Sequence, residues 1–317
     1  MEETLLYRGF ESVFAPSVDS LWIMFIGSLV AASCAMVGCF LVLRRMSMLG
    51  DAISHAVLPG IVLAFMWTGS RNIVPMLIGA GALGLLTAFI TDVLQRYGKL
   101  QTDASIGVTF TWLFAIGVIL VTQFTGHVDL DVDCVLHGEI LYAPFDVIEI
   151  AGMGVGPRVA WTMGVVAVID LIFILLAWKQ LKICAFDAGL AASLGINVAL
   201  WHYLLMGAVS VTTVASFESV GVILVVAMLT VPPNTAYLLT DRLWLMVVLS
   251  VVIGVLCAII GYGLASAIDG SIAGAMATVA GVFYVMAAFG GPRHGVIWKR
   301  IRQRRAGLSP EELAATP

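Results

Sequence analysis

The sequence predicts an all-α, polytopic transmembrane bundle of about nine spans (eight to ten), and three observations carry that prediction. The 317 residues are 61% hydrophobic and 11% charged, whereas a soluble domain holds roughly a quarter charged residues. Apolar runs fall at 20–43, 52–69, 73–95, 104–124, 159–178, 198–217, 219–240, 244–265 and 272–289, each near the ~20 residues that cross a bilayer. The basic residues divide unevenly between alternate loops. With the N-terminus outside, the inner side holds Arg44, Arg45, Arg96, Lys99, Lys179, Lys182, Arg242, Arg293, Lys299, Arg300, Arg302, Arg304 and Arg305, against Arg8, Arg71 and Arg158 outside. Lys and Arg collect on the cytoplasmic side, so the C-terminus is expected in the cytoplasm. One span more or fewer would scramble this alternation.

The elements follow in order. Residues 1–19 read as an extracytoplasmic or interfacial segment without the basic start of a cleaved signal peptide. The first apolar run has spanning length and is expected to remain in the mature protein. Residues 20–290 are expected to form the transmembrane domain. Its second and seventh runs contain Pro59 and Pro232–Pro233, where helices bend or break. Two connections are long, 125–158 outside and 179–197 inside, and residues 291–317 form a basic, then mildly acidic, cytoplasmic tail. The net charge of −4 says little about partners, and nothing points to nucleic acid. The five cysteines include no CxxC pair, which argues against a disulfide framework or a zinc knuckle.

The chemistry concentrates in RRMSMLGDAISHAVLPG, residues 44–60. Asp51 and His55 stand four residues apart and so share one helix face. A carboxylate and an imidazole facing one way make half of a site for a divalent transition metal. Ionisable groups in membrane segments are costly and mark functional positions. The competing reading makes Asp51 a helix N-cap beside Arg44–Arg45, with His55 satisfied by a neighbouring backbone group.

The inner connection KQLKICAFDAGLAASLGI repeats Asp187, Ala191 and Gly195 at four-residue intervals. A short helix with a small-residue face (Ala188, Ala191, Ala192) and a glycine stop is expected there. It reads either as a helix that docks into a partner's groove or as an ordinary amphipathic connector. Asp92, four residues before Arg96, is expected to form an ion pair. Asp170 lies mid-span without a partner on its own helix, and either lines the pathway or bonds a neighbouring helix. His202 reads as an interfacial or hydrogen-bonded residue. Glu218, between two apolar runs at the outer face, either caps the turn or helps receive an ion. The outer cluster DVDCVLHGE lacks the glycine and glutamate spacing of a calcium loop. It either concentrates cations at the mouth or is a solvated loop that docks a binding protein. No GxxxxGK[ST], GxSxG or HExxH motif occurs, so no P-loop is expected and an enzyme reading has no positive support.

These segments carry a resemblance. RRMSMLGDAISHAVLPG resembles the signature of permease subunits of the manganese/zinc/iron family of ABC importers. FDAGLAASLGI and the following WHYLLMGAVSVTTVASFESVGVILVVAMLTVPPNTAYLLT are similar to that family's coupling loop and next two helices, and LHGEIL (136–141) and GPRHG (291–295) also resemble family segments. The likeness spans roughly 20–295. It implies a type II importer-like permease of the bacterial cytoplasmic membrane, working as a dimer or pseudo-dimer. An extracytoplasmic metal-binding protein would deliver the ion, and cytoplasmic ATP-binding subunits would power the cycle. Asp51 and His55 would then be metal ligands in the path, and Asp187, Ala191 and Gly195 the coupling contacts. A second permease subunit, identical or paralogous, would add two more ligands, an O/N set that accepts Mn²⁺, Zn²⁺ or Fe²⁺ without choosing. No permanently bound cofactor is expected, only the transported ion. Two rivals share parts of this pattern: a permease for metal chelates of the siderophore or cobalamin class, and a gradient-driven secondary cation transporter.

Overall fold

The computed structural model describes residues 17–69, 73–124, 140–141, 143–150 and 153–291. Among them, nine helical segments are long and apolar enough to cross a membrane. The first is α1 (Val18–Leu43). Its N-terminus is capped by Ser17, whose Oγ accepts the Ser20 amide at 3.2 Å. Helix α1 is buried along most of its length and forms the axis of the bundle. It packs against α6 (Arg158–Phe186), α8 (Val198–Val220), α9 (Val222–Leu239) and α10 (Leu243–Ile268). Lipid offers little hydrophobic force to pair helices, so small residues that admit close approach supply the contact. Gly27, Ala31, Cys34, Ala35 and Gly38 of α1 serve that end, all buried.

The second span is broken, as Pro59 leads one to expect. Helix α2 (Met48–Ala56) stops at Val57, and α3 (Leu58–Thr68) starts there with Pro59 in its first turn. The third and fourth spans are α4 (Ile73–Gly98) and α5 (Thr102–Phe124), and α11 (Ile272–Gly290) closes the bundle. Pro232 and Pro233 break nothing, in contrast to Pro59: α9 runs through both. Two features hold it together. It is packed by α1, α10 and α11. Thr230, Asn234 and Thr235 also bond back to the Val226, Thr230 and Val231 carbonyls at 2.7–2.8 Å, the kind of local support that lets prolines persist in membrane helices.

Pro233 still lacks the N–H that would bond the Leu229 carbonyl. Gly38 of α1 lies against that oxygen, and any Cβ at this position would run into it. Gly60 and Gly79 bring α3 and α4 together in the same way, each facing the other's carbonyl. Two sequence expectations need correction. Residues 179–186 are not a loop but the end of α6, with Asp187 starting the turn into the short helix α7 (Ala188–Ser193). The outer connection, expected as loop, contains an antiparallel hairpin, β1 (Val147–Ile150) with β2 (Met153–Pro157). Its strands are only four and five residues long, and the second carries Gly154 and Gly156, which hid the pairing.

Candidate functional site

Helix α2 has a buried and an outward side. Leu49, Ala52, Ile53 and Ala56 are buried, and the helix lies against α4, α5, α8 and α9. Met48, Asp51 and His55 fall at i, i+3 and i+7 and form the outward stripe. Asp51 is the fourth residue of α2, and Ser47 precedes the helix, so the N-cap reading of Asp51 does not hold. Gly50 places α2 on the Leu229 side chain, which a Cβ at Gly50 would strike. Leu229 of α9 thus meets α1 through its carbonyl and α2 through its side chain.

His55 Nε2 lies 3.6 Å from Asp51 Oδ1, with the two side chains 33% and 40% exposed. Among the described residues this is the only polar contact of either group. The imidazole is set by two aromatic rings of α5, Phe110 and Phe114, with centroids 5.9 and 5.8 Å away. Two donor atoms 3.6 Å apart, each about 2.1 Å from one ion, subtend roughly 115–120° at it. That is close to a tetrahedral angle, so the spacing of the two atoms is compatible with one shared ion. Pro59, four residues beyond His55, adds a further feature. It has no N–H for the His55 carbonyl, which leaves a backbone oxygen of the pair's own helix without its helical donor. No group of three or more His, Cys, Asp or Glu side chains able to hold an ion occurs among the described residues. Among the described residues, one chain therefore brings two side-chain donors to this place.

The remaining candidates are placed as follows. Arg96 Nε donates to Asp92 Oδ1 at 2.9 Å, the expected ion pair, and Tyr203 adds a hydroxyl to Oδ2 at 3.2 Å. Asp170 on α6 is 2% exposed and accepts the Thr212 hydroxyl of α8 at 2.6 Å, a tie between neighbouring helices. His202 contacts Arg44 Nη1 at 3.1 Å through Nδ1. Because arginine only donates, Nδ1 must accept, which fixes the neutral imidazole. Sequence reasoning did not find that pair, whose members are 158 positions apart. The backbone of Glu218 lies in the last turn of α8. Asp129, Asp131, Asp133, Cys134, His137 and Glu139 fall outside the described residues. Cys34, Cys39, Cys184 and Cys257 are buried free thiols.

The α7 turn is built as its residues dictate. Asp187 Oδ1 accepts the Leu190 amide at 2.9 Å as an N-cap. Gly195 sits at φ +78°. Its amide bonds the Ala192 carbonyl and that of Ile196 bonds Ala191, at 3.1 and 3.0 Å, the double closure of a glycine-terminated helix. The expected small-residue face is divided, however: Ala191 is fully buried against the chain, while Ala188 and Ala192 are exposed. Leu190 and Leu194 give the outer side its apolar surface, 52% and 60% exposed.

Nine spanning-length helical segments among the described residues, a broken second span, a half-exposed acid–imidazole pair beside the break and a capped helical turn at one end fit a polytopic membrane transporter. Residues 20–291 match the model of the ABC 3 transport family, and the chain belongs to that family. It is 50% identical over 281 residues to the manganese transport system membrane protein MntD of Bacillus subtilis, covering 89% of this chain and 95% of MntD. It is 43% identical over 286 residues to the zinc transport system membrane protein TroD of Treponema pallidum, covering 90% and 78%. Among solved structures, PsaBC from Streptococcus pneumoniae, in complex with a Fab, matches with a TM-score of 0.74 and 30% identity over 91% of this chain and 97% of that one.

Proposed function

We propose that this chain is the permease subunit of an ATP-driven importer that moves a divalent transition metal ion, Mn²⁺, Zn²⁺ or Fe²⁺, across the bacterial cytoplasmic membrane. The observation that carries the reading is the outward-facing Asp51–His55 pair at 3.6 Å. An ionisable pair in a membrane span turns to a protein interior or a water-filled path, not to lipid. A half-exposed pair on a single chain therefore calls for a second permease subunit opposite it. Two such chains bring two carboxylates and two imidazoles to one place, a donor set for these ions. The His55 carbonyl is a further oxygen within the same turn.

The N-terminus lies outside and the C-terminus in the cytoplasm, supported by the distribution of Lys and Arg. Helix α7 then faces the cytoplasm and meets a separate ATP-binding subunit. Asp187 and Gly195 shape the helix, Ala191 anchors it to the chain, and Leu190 and Leu194 offer the contact surface. The outer connection and Glu218 face the extracytoplasmic metal-binding protein that delivers the ion. ATP binding and hydrolysis in the partner move α7 and with it α6 and α8, against which it packs. Helix α8 also touches α2, so this motion reaches Asp51 and His55 and alternates their access between the two sides.

The test is uptake of Mn²⁺, Zn²⁺ and Fe²⁺ by the complex of permease, ATPase and binding protein in proteoliposomes. Uptake that requires ATP and survives collapse of the proton gradient is expected. Uptake that continues without the ATPase and stops with the gradient would establish a secondary transporter, and uptake of a chelate alone a siderophore-type permease.

Three substitutions probe parts of the reading. Asp187→Ala removes a cap worth about 1 kcal/mol, and Gly195→Val forces a left-handed β-branched residue at about 1–2 kcal/mol. Their combination, about 2–3 kcal/mol, is expected to reduce uptake by up to about 30–150-fold while ATPase subunits still hydrolyse ATP. Asp170→Asn keeps an oxygen for the Thr212 hydroxyl, so uptake within about twofold of wild type is expected if Asp170 is a helix tie, given that an amide oxygen accepts as a carboxylate does. Complete loss would make it part of the pathway.

A further inference from the structure

A cavity of about 770 Å³ lies beneath α7, between the ends of α1, α4, α6, α8 and α9. Arg44, Arg45 and Arg96 line it, against a single carboxylate, Asp92. That carboxylate is already engaged by Arg96 and Tyr203, and His202 is neutral by the argument above. The lining therefore carries a surplus of two positive charges, which repels a metal ion and attracts an anion.

Arg44 is the decisive residue. Its Nη1 is used by His202. Its Nε and Nη2 are buried, and no acceptor among the described residues reaches either. Nε–H and the neighbouring Nη2–H form the side-on edge of the guanidinium, two parallel donors matched to two oxygens of one phosphate or carboxylate. Unmet buried donors are costly, and burial lowers the Arg44 pKa from its ordinary value. Both penalties ease when an anion accepts from this edge. The walls also include Val42, Leu43 and Phe186, apolar surface that a bare carboxylate would not use and a phospholipid would.

We propose that this cavity binds a phosphate group through the Nε/Nη2 edge of Arg44, supplied by an anionic phospholipid, and that the bound phosphate braces α7, whose Ala188 lines the same space. Assignment to the cytoplasmic leaflet rests on the orientation proposed above; the binding does not.

The test uses the full transporter complex in nanodiscs of phosphatidylcholine, with or without phosphatidylglycerol, and native mass spectrometry to count retained lipid. Wild type is expected to retain phosphatidylglycerol and to melt higher in its presence. Arg44→Gln should weaken that retention about tenfold or more, and Arg44→Lys, which keeps the charge but loses the fork, should fall between. Ala199→Trp narrows the cavity while keeping every charge, and should also lose the lipid, which decides the matter if Arg44→Gln fails to fold. Inorganic phosphate added to phosphatidylcholine nanodiscs separates the sources: an Arg44-dependent melting shift with phosphate alone makes the ligand free phosphate. Equal lipid retention in all variants, with no phosphate effect, overturns the proposal and leaves Arg44 to water or to a partner's carboxylate. Because binding is read apart from transport, a complex that imports metal without retaining lipid contradicts only this inference, and one that retains lipid without importing metal contradicts only the proposed function.

Discussion

Replacing His55 with alanine is expected to abolish metal uptake while leaving the bundle and its assembly with the ATPase intact. The fold should tolerate the change because His55 lies on the outward stripe of α2, whose packing is supplied by Leu49, Ala52, Ile53 and Ala56. The ring contacts with Phe110 and Phe114 are the packing lost. Loss of partners that only orient a metal ligand costs about 10–100-fold, so loss of a ligand itself should reduce uptake by at least about 100-fold on the same scale. Asp51→Asn is expected to act likewise, and the double variant should be little worse than either, as for groups that act as a unit. Uptake measured at matched protein levels decides this. Unchanged uptake in His55→Ala would reduce the pair to a structural feature and direct attention to Asp170 and the outer connection.

Gly38→Val is expected to cause a large loss of stability. Overpacking a core costs about 1–3 kcal/mol where side chains can yield. Here the obstacle is the Leu229 carbonyl, with the Pro233 ring beside it, and neither can rotate away. Helices α1 and α9 must separate, which also disturbs Leu229 against Gly50 of α2 and thereby the helix bearing Asp51 and His55. The yield of folded protein and the melting temperature of the purified complex should both fall sharply. Gly281→Ala on α11 is the matched control: its added methyl meets nothing within 4 Å, and alanine in a helix interior is worth roughly 0.5–1 kcal/mol over glycine. Equal melting temperatures for Gly38→Val and wild type would show that the α1–α9 contact is looser than described.

Much of this was legible in the sequence, and the reasons are physical. Spanning helices announce themselves by length and apolarity, because each backbone polar group must be satisfied within the segment; the nine runs accordingly agree with the nine helical segments among the described residues. Local signals also held. Pro59 breaks its span, Asp92 pairs with Arg96 one turn on, and Asp187 and Gly195 bound a short helix. What escaped depends on tertiary packing. Pro232–Pro233 carries the same local signal as Pro59, yet surrounding helices keep α9 continuous. Asp51 looked able to cap a helix until α2 was seen to begin three residues earlier. The inward turn of Ala191 depends on what α7 packs against, and the meeting of Arg44 with His202 joins distant parts of the chain. No spacing rule reports such contacts.

The central claim is that one ion is held between two permease chains by Asp51 and His55. Equilibrium binding of Mn²⁺, Zn²⁺ and Fe²⁺ to the purified complex tests it most directly, comparing wild type with Asp51→Asn and His55→Ala. The account predicts one ion per pair of permease chains in wild type and none held at the same affinity in either variant. An ion bound with unchanged stoichiometry and affinity in both variants would contradict it.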